Sequence, residues 1–228
     1  MRLTILGGGN MGGSILHSIE KIKDISPKDI LLIEKDEQKR INLSKASGCL
    51  SQTVIDQNIS GYDYILIAIK PQGAIAVMEL LARWLLPHQI IISIMAGISL
   101  NTISEKLRQN KIVRVMPNIP TMISEGMSIF FSSDSVDKKE RDVIKALFST
   151  CGSCIEAENE DAIDAATAIS GSGPGYFFYF AEKITESAIS LGFSESDANL
   201  LVQKTIRGSA LLWESQGISP KVLKDSVS

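Results

Sequence analysis

The stretch from Leu3 to Gly13 narrows the possible folds more than any other. Leu3-Thr4-Ile5-Leu6 is a short apolar run, followed by Gly7-Gly8-Gly9-Asn10-Met11-Gly12-Gly13 and then by Ile15, Leu16, Ile19 and Ile22 at helical spacing. Strand, glycine turn and helix in that order open a βαβ unit, and the glycines fall in the pattern G-x-G-x-x-G. In such a loop Gly7 makes the turn, Gly9 leaves room for a pyrophosphate, and Gly12 lets helix and strand pack closely. The helix start adds free N–H groups and the positive end of the helix dipole. A tight βα turn with no ligand would use the same residues, so the rest of the chain decides between the two.

Strands and helices go on alternating. Ile30–Ile33 reads as a second strand ending at Glu34, at the distance past the glycines where a Rossmann carboxylate meets the adenosine ribose. An acid there accepts from both ribose hydroxyls and repels a 2′-phosphate. Lys35 beside it, with Lys39 and Arg40 a turn on, brings the opposite charge. The same segment also reads as a solvated helix start with Asp36 as N-cap. Tyr64–Ile69 is a near-continuous apolar strand of the parallel-sheet kind, ending in Lys70-Pro71. Ile90–Ile94 runs into Met95-Ala96-Gly97, and Ile112–Met116 into Pro117-Asn118-Ile119-Pro120. Three strands thus end in small, polar or proline residues at the sheet edge where α/β folds hold their ligands. Met127–Phe131, a helix over Lys138–Phe148 and a strand over Ser153–Glu156 complete the expected sheet.

The chain changes character at Ser170-Gly171-Ser172-Gly173-Pro174-Gly175-Tyr176. Phe177, Phe180, Ala181, Ile184, Ala188 and Leu191 then recur at helical spacing, and only helices follow. Gly192 is expected to end the first of them, Ser194 with Asp197 to start the second, and Ser219-Pro220 a third. Glu156, Glu158, Glu160, Asp161 and Asp164 mark the approach to the corner and read as a solvated helix start. A Gly/Ser/Pro cluster serves as a tight corner in many proteins; its place where two folds meet makes it a candidate ligand site. The expectation is an α/β fold: a Rossmann-type parallel-sheet domain over residues 1–157, then an all-helical domain over 158–228.

With 44% hydrophobic and 21% charged residues the composition is that of a globular protein. A net charge of −3 leaves no basic stripe for nucleic acid. No apolar run is long enough to span a membrane. The N-terminus runs straight into the glycine loop and does not read as a secretory signal. Cys49, Cys151 and Cys154 are few and odd in number, which suggests a reducing cytoplasm. Cys151 and Cys154 have CxxC spacing, but a zinc site needs about four ligands. His17 and His88 lie in other elements, so a structural role and no metal are expected.

Together these stretches resemble pyrroline-5-carboxylate reductases, the family that completes proline biosynthesis. The matching segments are LGGGNMG (Leu6–Gly12), AIKP (Ala68–Pro71), Ala96-Gly97, RVMPNIP (Arg114–Pro120), SGSGPGY (Ser170–Tyr176) and LKDSVS (Leu223–Ser228), in the family's order. The resemblance implies an oxidoreductase that moves a hydride from NADPH or NADH to the C=N carbon of 1-pyrroline-5-carboxylate. It also implies a cytoplasmic homo-oligomer, built from dimers joined through the helical domain, with no nucleic-acid or membrane partner. By resemblance Gly7, Gly9, Asn10, Met11 and Gly12 hold the pyrophosphate. Glu34 and Lys35 stand at the adenosine ribose, where family members commonly carry a small polar residue followed by arginine. Ala68, Lys70 and Pro71 line the ribose wall, and Ala96, Gly97 and Asn118 approach the nicotinamide. The substrate lies against Ser170, Gly171, Ser172 and Gly173.

The family continues past LKDSVS with a glycine-rich substrate loop and further helices. Because this sequence stops at Ser228, the helical domain is expected to be incomplete and turnover reduced. Two other readings stand beside this one. A dinucleotide-binding protein with little catalysis is one. A hydroxyacid dehydrogenase of related architecture is the other, although that group places a lysine near the position of Phe177, and here the first is Lys183.

Overall fold

The computed structural model describes residues 1–22 and 25–227; Ser228, the last residue of the LKDSVS stretch, lies outside them. The chain divides into two compact units, Met1–Pro174 and Gly175–Ser228. The first unit therefore includes residues 158–174, which the sequence reading grouped with the helical domain.

In the first unit the elements are β1 (Leu3–Leu6), α1 (Asn10–Ile19), β2 (Ile30–Ile33), α2 (Glu37–Ser47), β3 (Leu50–Gln52), β4 (Tyr64–Ile67), α3 (Ala74–Leu81), β5 (Ile90–Ser93), α4 (Leu100–Leu107), β6 (Ile112–Met116), β7 (Gly126–Ser132), α5 (Lys138–Ser149), β8 (Gly152–Glu156) and α6 (Asp161–Ala166). The strands form one sheet in the order β3-β2-β1-β4-β5-β6-β7-β8. The order reverses between β1 and β4, and in an open α/β sheet ligands sit at the carboxyl edge of such a reversal. Every pair is parallel except β6 with β7. Residues 117–125 are too few for the dozen or so that a parallel crossover needs, so the chain turns back antiparallel.

β3 has no counterpart in the sequence reading. Leu50-Ser51-Gln52 shows neither an apolar run nor alternation, and Leu50 is exposed; only its pairing with β2 makes it a strand. β4 and β5 stop at Ile67 and Ser93, short of Ile69 and Ile94, which leaves Ala68–Lys70 and Met95–Gly97 as turns above the sheet edge.

Both faces of the sheet are covered, which is why its central strands read as continuous apolar runs. Leu3 and Ile5 pack with Ile15, Leu16 and Ile19 of α1 and with Ile144, Leu147 and Phe148 of α5. On the other side Leu6, Ile65 and Ile67 meet Ala74, Met78 and Leu81 of α3 and Ile103 and Leu107 of α4. The three cysteines are free and buried in the first of these layers. Burial pushes the Cys154 thiol up to about 12, which keeps it protonated near neutral pH and a poor nucleophile.

α7 (Gly173–Ser190) starts at the end of the first unit and runs into the second, which continues with α8 (Glu195–Gln216) and α9 (Pro220–Val227). Ser194 caps α8 by accepting from the Asp197 N–H at 3.1 Å, and Gly217 ends it in the left-handed conformation at φ 62°. The helices hide little of their apolar surface: Phe177, Phe178, Phe180, Leu211 and Trp213 stay about half exposed. Phe177, Phe180, Ile184, Ile206, Trp213 and Leu223 line a groove of about 860 Å³ within this unit. Among the described residues no helix is long and apolar enough to cross a membrane.

Candidate dinucleotide and substrate site

The glycine loop owes its shape to three different constraints. Gly7 sits at φ +100°, where a side chain is strained, and a Cβ there would lie 2.6 Å from the Ala68 carbonyl oxygen. Its N–H donates to the Ile33 carbonyl at 2.8 Å, which ties the turn to β2. A Cβ on Gly12 would stand 2.0 Å from the Gly7 carbonyl oxygen, so close packing of α1 on the loop requires glycine. Gly9 differs from both, because a Cβ built on it meets nothing within 4 Å. It is the N-cap of α1, its position makes no side-chain cap, and the first turn of the helix carries no acid. The first turn of α1 therefore keeps free N–H groups and the positive end of its dipole, with Asn10 exposed and Gly12 buried behind it.

Glu34 closes β2 and is only 8% exposed. One carboxylate oxygen accepts from the Gly8 N–H at 2.7 Å and the other from the Asp36 N–H at 2.9 Å. Asp36 does cap α2, accepting from Lys39 N–H at 2.9 Å, yet Glu34 is buried against the glycine loop and not part of a solvated helix start. Lys35 is exposed beside it.

Along the same edge Ala68 is half-buried against Gly7 and Gly12. Lys70 is exposed at the head of a single turn, and Pro71 opens that turn ahead of α3. Ala96 and Gly97 are exposed at the end of β5, with Gly97 at φ +71° and open space where its Cβ would be. Asn118 follows β6 and is 9% exposed. Its side chain accepts from Met127 N–H at 2.8 Å and donates to the Ser170 carbonyl at 3.1 Å, so one amide joins β6, β7 and the glycine corner. The corner opens on one turn of π-helix, Thr167–Gly171, a form that recurs at functional sites, and Gly173–Tyr176 already belong to α7. The Ser170 hydroxyl bonds back to Ala166 at 3.0 Å, and the Ser172 N–H to Thr167 at 2.7 Å. Gly171 packs near Met116, Ser172 is exposed, and Gly173 again has nothing within 4 Å of a Cβ. Three glycines of one sheet edge, Gly9, Gly97 and Gly173, thus border open space.

The sequence reading passed over Arg114. It is 3% exposed in the middle of β6 and forks to the carboxylates of Glu160 and Asp164, the latter at 3.1 Å. Glu160 also accepts from Leu100 N–H, at the start of α4, at 2.7 Å. Glu160 and Asp164, read from sequence as solvated acids at a helix start, are the clamp that holds α6 on the sheet; Glu156 pairs with Arg141. A charged residue inside the apolar run Ile112–Met116 was the available signal, since a buried guanidinium needs partners. Gly8, which donates to Glu34, was also passed over. The two histidines lie elsewhere: His17 is exposed near Glu20 at the end of α1, and His88 is exposed ahead of β5.

A doubly wound sheet with a glycine loop and a buried β2 carboxylate beside the strand reversal has the architecture of a dinucleotide-binding domain. Comparison with known proteins narrows the class. Residues 160–228 match the family model described as pyrroline-5-carboxylate reductase dimerisation, and residues 2–97 one described as NADP oxidoreductase, coenzyme F420-dependent. The pyrroline-5-carboxylate reductase of Pseudomonas aeruginosa is 30% identical over 100% of this chain and 83% of its own length. That of Aquifex aeolicus is 31% identical over 98% and 82%. Among solved structures, the Coxiella burnetii enzyme superposes with a TM-score of 0.90 at 28% identity, covering 100% of this chain and 84% of that one. The Plasmodium falciparum enzyme, solved with NADP bound, gives 0.88 at 28% identity, with coverage of 100% and 84%. The chain belongs to the pyrroline-5-carboxylate reductase family.

Proposed function

We propose that the protein reduces 1-pyrroline-5-carboxylate to L-proline with NAD(P)H. What carries this reading is that the likeness to the relatives runs through both units from end to end and is not confined to the glycine loop. The N–H groups at the start of α1 would bind the pyrophosphate over Gly9, with Gly7 and Gly12 shaping the turn and Glu34 and Lys35 at the ribose. Ala68, Lys70 and Pro71 would form the wall of the dinucleotide trough, and Ala96, Gly97 and Asn118 its nicotinamide end. When bound, the dihydronicotinamide supplies a hydride to the C=N carbon. The protonated imine nitrogen already carries its proton, so nothing must be drawn from the protein. The chain's contribution is then positioning and exclusion of water. Asn118 fits that role by holding Ser170 against the ends of β6 and β7, which sets where Gly171, Ser172 and Gly173 lie. An edge without histidine suits a reaction that asks for no strong acid. Loss of NAD(P)H absorbance on adding pyrroline-5-carboxylate, with proline as product, is the expected result; cofactor binding without proline formation would leave only the dinucleotide-binding reading.

The reading includes a homo-oligomer in the cytoplasm with a small-molecule substrate. The exposed aromatic groove of the helical unit supports association, because each buried side chain of this size is worth roughly 1.5–3 kcal/mol. The dimerisation family model covers the same segment. A net charge of −3 without a basic stripe supports the expectation of no nucleic-acid partner. Sedimentation at micromolar concentration is expected to give a dimer or a multiple of dimers. Trp213→Glu, which sets a charge in the groove, is expected to shift the equilibrium to monomer. A monomeric parent protein would overturn the oligomer.

A further inference from the structure

We propose that Glu34 makes this protein selective for the dinucleotide with a free 2′-hydroxyl, NADH, over its 2′-phosphorylated counterpart. The inference rests on the dinucleotide site described above and goes beyond it, since the family model is described for NADP and one solved relative holds NADP.

The geometry leaves Glu34 little freedom. Its oxygens are held from two sides, by the Gly8 N–H of the glycine loop at 2.7 Å and the Asp36 N–H ahead of α2 at 2.9 Å. Turning away to admit a phosphate would break both bonds and leave the buried Gly8 N–H without its partner, which is costly. The carboxylate therefore stays at the end of β2, where the ribose of a dinucleotide lies in this fold. Each oxygen keeps acceptor capacity beyond the one bond it makes, so ribose hydroxyls can still donate to it. A 2′-phosphate adds up to two negative charges, and a carboxylate beside it repels them in a site sheltered from water.

The nearby cations do not cancel this charge. Lys35 and Lys39 are exposed, and no ion pair to Glu34 is recorded among the described residues. Arg40 is turned toward β3, where its guanidinium donates to the Ser51 hydroxyl at 3.2 Å. Its Nε is buried without a partner, so the release of this side chain could favour a phosphate.

The test is direct binding of each nucleotide to the full chain, followed by fluorescence or calorimetry, with no turnover needed. The parent protein is expected to bind NADH at least ~10-fold more tightly than NADPH, a difference of about 1.4 kcal/mol. In Glu34→Gln, which keeps the size and one acceptor, the ratio should fall toward one, mainly because NADPH binds better; Glu34→Ser should do the same with more space. Equal or tighter NADPH binding by the parent overturns the proposal on its own, while dinucleotide binding stands. If that NADPH affinity is then lost in Arg40→Met, the arginine is the discriminator instead. An NADH preference that survives in both Glu34 variants overturns the assignment to Glu34. A parent that binds neither nucleotide removes the dinucleotide site and this proposal with it.

Discussion

Gly9→Val is expected to weaken dinucleotide binding by at least ~100-fold, or about 2.7 kcal/mol, while the protein stays folded. Gly9 has φ −67° and ψ −175°, an extended conformation open to any L-residue, and nothing lies within 4 Å of its Cβ. A valine there costs no more than the loss of a tolerable N-cap, up to about 1 kcal/mol. What it removes is the space directly in front of the first-turn N–H groups of α1. Gly12→Val lies three residues on and behaves differently. Its Cβ would stand 2.0 Å from a backbone oxygen that cannot swing aside, and 3.1 Å from the Ala68 Cβ. The helix must move off the loop, so this variant is expected to lose more than about 2 kcal/mol of stability and to lose binding as a consequence. Thermal unfolding separates the two: a near-parental midpoint for Gly9→Val and a clearly lowered one for Gly12→Val. Nucleotide titration then completes the test, and unchanged affinity in Gly9→Val would remove the pyrophosphate from this loop.

The sequence does not distinguish those two glycines, and the reason applies to much of the site. G-x-G-x-x-G states which positions lack a side chain, not what stands where the side chain would be. Gly9 faces open space and Gly12 faces a carbonyl, a difference set by how α1 lies on β1. Strands β1, β2, β4, β5 and β6 were legible because they are buried on both faces and their apolar runs end in recognisable turns. β3 was not, since a three-residue edge strand with an exposed Leu50 is defined by its neighbour alone. Glu34 and Asn118 were legible as positions at strand ends. Their partners, the Gly8 N–H and the Ser170 carbonyl, are backbone groups with no signature in the sequence. The clamp around Arg114 escaped for a related reason: 46 residues separate it from Glu160 and 50 from Asp164, and acids at a helix start have a sufficient local explanation in the helix dipole.

That clamp yields the other large expected effect. Arg114→Met should destabilise the first unit by about 3 kcal/mol, because removing one partner of a buried pair leaves an uncompensated charge. In a chain of this size each kcal/mol moves the midpoint by roughly 2–4 °C, so a fall of about 6–12 °C is expected. Three comparisons separate the loss of charge pairing from simple loss of packing. Arg114→Lys should recover only part of the stability, since one ammonium cannot fork to Glu160 and Asp164 as the guanidinium does. Asp164→Asn should cost little, because Asp164 is 64% exposed and water takes over its charge. Adding Glu160→Gln to Arg114→Met should recover part of the loss: the amide oxygen still accepts from Leu100 N–H, and the stranded carboxylate is gone. If the double variant is no more stable than Arg114→Met alone, the pairing with Glu160 is not what holds α6. The clamp also bears on catalysis, since α6 leads directly into the π-turn whose Ser170 carbonyl meets Asn118. A loosened α6 should therefore lower kcat for imine reduction more than it weakens dinucleotide binding, since of the proposed dinucleotide contacts only Asn118 touches the π-turn, and the others lie around β1, β2, β4 and β5. Equal losses in both would mean that the damage spreads through the whole sheet.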